Sequence, residues 1–211
     1  MKKTGKKTML LSVIMSSPGP IVVGIGLLVG KSSTQLADFI RRSIELLAII
    51  LAFIIFCITN KNDQVDYKKK EKLEKYSNNF VSISMILSGI IMAVLVFFSN
   101  SDEKGNVIPG LAIAILGVIA NSFFWIRYKK IGNETNNNIL KTQSKLYRAK
   151  TFVDCSVVIA LMVVMISTNQ QLSYYFDIVG TICVSIYLAY SGVSTFIKTN
   201  RRIDKNENQI I

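Results

Sequence analysis

Two stretches of this 211-residue chain place ionisable residues four positions apart inside otherwise apolar strings: Arg41 with Glu45, flanked by Asp38 and Arg42, and Lys150 with Asp154. A step of four brings both members of a pair onto one helix face. Carboxylates and cations arranged in this way can carry a cation or a proton, or can neutralise one another. They do not form a nucleophile with its base. Asp177, at the opening of a further apolar string, suits a helix cap or the positive end of a helix dipole. The chain has no His, which removes His-based triads, imidazole relays and His-metal sites. Cys57, Cys155 and Cys183 lie far apart with neither metal-ligand spacing nor an implied pairing, and read as small apolar core residues. The run GIGLLVGKSS at 24–33 lacks the glycine a phosphate loop needs five residues before Gly30, where Ile25 stands. The expectation is therefore no enzyme, no cofactor and no bound metal.

The elements that must position these charges are long and apolar. Half of the residues are hydrophobic and the mean hydropathy is +0.40. A bilayer crossing takes about 20 mostly apolar residues, and six strings qualify: 9–29, 36–59, 79–98, 107–126, 147–168 and 173–197. They are too continuous for barrel strands, whose apolar residues alternate. The formal charge of +12 does not gather on one basic face as nucleic-acid binding would require; the lysines and arginines lie between the strings. Twenty of them fall in the N-terminal tail, the 60–77 and 127–148 connections and the C-terminal tail, against Lys31 and Lys104 on the other side. By the positive-inside bias both termini are cytoplasmic. The reading is an all-α, multi-pass protein of the cell membrane, a six-helix transmembrane bundle with the lipid bilayer as its partner. Its parts are a cytoplasmic basic tail (1–8), a transmembrane domain (9–199) and a short cytoplasmic tail (200–211). Pro18-Gly19-Pro20 should kink or break the first span near its middle. Trp125 and Tyr128 fit an aromatic belt at the inner end of the fourth. A charge near the bilayer centre costs at least about 2.5–3.5 kcal/mol, so Arg41, Glu45, Lys150 and Asp154 are expected to face the protein interior and meet across the second and fifth spans.

These residues resemble the membrane domain of the cation diffusion facilitator family, proton-coupled exporters of divalent metal ions. The second span, SSTQLADFIRRSIELLAIILA, is similar to that family's LAD-containing helix. The fifth, LYRAKTFVDCSVVIALMVVMI, is similar to its partner helix, and the last shares an Asp at its start and a Gly before its exit. The resemblance implies six spans with both termini inside, alternating access, and a cation as substrate. In the family, two pairs spaced four apart form a tetrahedral site for the ion; carried over, those positions are Arg41, Glu45, Lys150 and Asp154. Asp154 keeps its expected type and Glu45 keeps a carboxylate, whereas Arg41 and Lys150 put cations where ligands stand. Arginine has no acceptor lone pair. Two carboxylates with one guanidinium and one ammonium sum to zero without any metal. The family's appended cytoplasmic domain has no counterpart in the 200–211 tail, which is too short for a domain. Two functions stay open: a divalent-cation/proton antiporter with an altered site, or a non-transporting relative locked by intramembrane salt bridges, serving in a homodimer or as a subunit of a heteromer.

Overall fold

In a computed structural model, residues 2–29, 33–61, 67–98, 107–166 and 170–207 are described, and every element among them is helical. These are α1 (Lys2–Ser16), α2 (Pro18–Val29), α3 (Ser33–Lys61), α4 (Tyr67–Phe98), α5 (Val107–Glu134), α6 (Asn138–Ile166) and α7 (Gln170–Glu207). α1 and α2 are the halves of one interrupted helix. Pro20 removes a backbone donor and its ring crowds the carbonyl four residues back, so the chain breaks at Ser17. The expected interruption of the first span is thus present, and the architecture is a six-helix bundle. The helical trace runs through both ends of the 9–199 segment, starting at Lys2 and continuing to Glu207.

Among the described residues, four stretches are apolar and long enough to cross a bilayer: Lys3–Ile25 across the break, Phe39–Asn60, Lys68–Val94 and Ile178–Arg201. α5 and α6 have 28 and 29 residues, about 42 Å at 1.5 Å per residue, against roughly 30 Å of hydrocarbon. The burial pattern is that of a chain built for lipid. On α3, Leu47, Ile54 and Ile58 are exposed while Arg41 and Glu45 are buried. On α5 and α7, Leu116, Ile119, Ile126, Ile186 and Tyr190 point outward. An extensive apolar surface over buried charges suits a hydrocarbon surround.

α5 packs along α6, and α4 along α7; α3 joins α4, α1 and α2, and α6 links back to α7, α4 and α3. The α5–α6 hairpin closes in a Schellman turn: Asn137 N–H donates to Gly132 O at 3.1 Å and Asn136 N–H to Asn133 O at 3.3 Å. Asn136 takes the left-handed conformation (φ 47°) that asparagine tolerates. Asn137 then caps α6 by accepting from Leu140 N–H at 3.1 Å. In the α4–α7 pair, a Cβ at Gly89 would stand 2.8 Å from Ser185 O, and one at Gly192 would stand 2.7 Å from Ser82 O. Each helix thus lends the other a glycine, and the backbones touch.

The core gathers Met9, Phe56, Met85, Phe124, Tyr128, Tyr147 and Leu188. Tyr128 is fully buried, with its hydroxyl 2.5 Å from Ser12 Oγ, and Tyr147 OH lies 3.0 Å from Ser16 Oγ. The belt reading therefore fails for Tyr128: its phenol finds a partner on α1 and turns into the bundle. Trp125 stays half-buried against Phe152, with ring centroids 6.4 Å apart.

Candidate functional site

On α3, Arg41 and Glu45 begin a stripe that continues through Ala48, Ile49, Ala52 and Phe56, all buried. The charges are interior because they share the face that holds the core, at steps of three and four. Glu45 is 3% exposed and both of its carboxylate oxygens are occupied. Oε1 accepts from Arg41 Nη1 at 3.0 Å and from Ser88 Oγ of α4 at 3.0 Å. Oε2 faces Lys150 Nζ of α6 at 3.5 Å. Two unit charges at 4 Å attract by about 4 kcal/mol at an effective dielectric near 20, a gain reduced by desolvation of both ions. Lys150 also sits over the Tyr147 ring, 5.4 Å from its centroid, a further favourable contact for a desolvated cation. The opposite charges of the second and fifth spans thus meet inside the bundle, as the spacing predicts. They meet through Glu45, which takes one cation from its own helix and one from across.

Asp154 is held differently. The i,i+4 spacing on α6 offers it Lys150, yet among the described residues Lys150 pairs with Glu45. Asp154 Oδ2 accepts from Asn121 Nδ2 of α5 at 2.6 Å. One turn earlier on α5, a Cβ at Gly117 would lie 2.7 Å from the same oxygen, so the missing side chain makes the room in which the carboxylate rests. Both arginines and Lys150 remain within electrostatic reach of it. The result is two carboxylates in unlike settings: Glu45 enclosed by cations, and Asp154 half-buried with a neutral amide donor.

Arg42 is half-buried, and its guanidinium lies beside the break in the first span, 3.5 Å from where a Cβ on Gly19 would be. The flanking residues Asp38 and Asp177 have side chains outside the described residues. Sequence reasoning missed Ser88, Gly117 and Asn121. A signal existed for Asn121, an amide within an apolar span, where an unpaired polar group is costly. Serines and glycines are common in packed membrane helices, so Ser88 and Gly117 carried none.

Among the described residues no three His, Cys, Asp or Glu side chains gather into a metal-binding group. The arrangement can hold a proton or a cation on the Asp154 carboxylate, beside the Asn121 amide. Glu45 becomes a ligand only if Arg41 or Lys150 moves away. Residues 9–203 match the family model described as the cation efflux transmembrane domain. No curated protein matches the chain.

Proposed function

Because the chain belongs to the cation efflux family, whose cation diffusion facilitator members its second and fifth spans resemble, it is a membrane-embedded cation transporter domain in general character, and we propose that it exchanges a cation for protons through Asp154. Lys150, Glu45 and Arg41 then form a fixed set with one net positive charge, which the Asp154 carboxylate balances until it takes up a proton or an ion. The observation that carries this reading is the contrast between the two carboxylates: cations take both oxygens of Glu45, and Asp154 has an amide. Asp154 is the carboxylate that can load and unload without breaking an ion pair. The chain crosses the cell membrane six times, with both termini in the cytoplasm, by the lysine and arginine bias. It performs no covalent chemistry.

Saturation of Glu45 also favours a second reading, in which α3 and α6 are clamped and the protein serves as a partner subunit. One experiment separates the two. The chain is reconstituted in liposomes loaded with a zinc- or manganese-sensitive dye, and a pH gradient is imposed. Exchange through Asp154 gives a dye signal that disappears in Asp154→Asn. A flat trace across several divalent ions supports the clamped reading.

A further inference from the structure

At the lysine-rich end of the bundle, remote in character from the Glu45 network, α4, α6 and α7 line an open cavity of about 440 Å³ together with the α5–α6 turn. This is within the size range of small-molecule sites. Five lysines contribute to its wall: Lys70 and Lys75 from α4, Lys141 and Lys145 from α6, and Lys198 from α7. Against them, among the described residues, stand Glu71 and Glu74, both on α4. Glu74 is engaged by Asn138 Nδ2 at 3.1 Å.

A lysine cluster on a surface ordinarily rests in water. Lys145 does not. It is half-buried, its ammonium donates to Thr195 Oγ1 at 3.2 Å, and among the described residues no carboxylate lies within ion-pair distance of it. Burial, then Lys198 and Arg148, hold its pKa below the ordinary lysine value of 10.5, so the neighbours that surround this cation repel it. Asn78, also in the wall, has its Oδ1 buried and without a hydrogen-bond partner. Two helix N-terminal regions, those of α4 and α6, border the cavity and add positive potential. A half-buried Lys145 with no carboxylate at ion-pair distance among the described residues, further lysines, hydroxyl and amide groups, and a volume suited to a small polyanion are what a phosphate group requires.

We propose that this cavity binds a phosphoryl anion, either free or as a lipid headgroup, with Lys145 and Lys198 as its principal contacts. The bound phosphate supplies the missing counter-charge and ties the ends of α6 and α7 together. The proposal concerns a site separate from Asp154 and stands whether or not the protein transports.

The test uses the full chain in phosphatidylcholine nanodiscs and reads the thermal midpoint, which rises when a ligand binds the folded state. One arm titrates inorganic pyrophosphate; the other adds phosphatidic acid to the discs and no free anion. A rise with pyrophosphate supports the site with a soluble ligand. A rise with phosphatidic acid alone supports it with a headgroup as ligand. In both cases the Lys145→Gln, Lys198→Gln double variant should need about tenfold more probe for the same rise, since two charge-assisted contacts are lost. If the double variant does not fold, Lys198→Gln alone, at an exposed position, should still weaken the response severalfold. No shift with either probe, or an equal shift in the variants, overturns the proposal.

Discussion

Glu45 shows how one residue decides the character of the interior. A carboxylate buried among cations on two helices couples α3 to α6, and removing one partner strands the rest in a low-dielectric setting. Lys150→Met should therefore cost about 3 kcal/mol or more, seen as a lower denaturation midpoint in detergent. Combined with Glu45→Gln, the loss should fall short of the sum of the single losses by roughly 1–3 kcal/mol, the range for groups in direct contact. Strict additivity would mean that the 3.5 Å contact carries no energy. The Arg41–Glu45 pair was legible from spacing alone, because four residues along a helix fix a shared face whatever surrounds it. The choice Lys150 makes between Asp154 and Glu45 was not legible. It depends on the relative depth and rotation of two helices, which no local pattern encodes, and on Gly117 and Asn121 drawing Asp154 toward α5.

At the scale of elements, glycine placement sets how closely helices approach. The obstacle facing a Cβ at Gly89 is backbone, Ser185 O at 2.8 Å and Ala189 N at 3.0 Å, which can give way only if α7 moves. Gly89→Ala should destabilise the bundle by about 1–3 kcal/mol, although alanine favours an isolated helix by nearly 1 kcal/mol over glycine. Gly180→Ala meets only the Ser156 side chain, whose hydroxyl can rotate aside. Its effect on the denaturation midpoint should be distinctly smaller. Equal losses at the two glycines would remove the argument for backbone contact. The break between α1 and α2 was legible in Pro18-Gly19-Pro20, since proline acts through its own covalent geometry. The inward turn of Tyr128 was not, because an aromatic near a span's end suits an interfacial belt as well as a hydroxyl partner on another helix.

Taken whole, the molecule turns many isoleucines and leucines outward, packs an apolar core, and holds within it the Arg41, Glu45 and Lys150 ion pairs. The helical class, the apolar strings and the family resemblance were all legible, since hydrocarbon leaves a chain few ways to satisfy its backbone. By the positive-inside bias, the proposed orientation has the lysine-rich ends in the cytoplasm. In a chain whose native cysteines are replaced by Ala, Lys3→Cys and Lys129→Cys should resist a membrane-impermeant maleimide in intact cells and react after permeabilisation. Labelling of either in intact cells would reverse the assigned orientation. The account's central claim is that Arg41 and Lys150 occupy, as tethered cations, positions that hold metal ligands in relatives. Calorimetric zinc titration of Arg41→Asp, Lys150→His in nanodiscs, beside the unaltered chain, tests it most directly. The account predicts saturable zinc binding in the double variant, with Glu45 and Asp154 completing the ligands, at an affinity at least about tenfold above that of the unaltered chain, a difference of roughly 1.4 kcal/mol. Identical titrations of two folded proteins would contradict it.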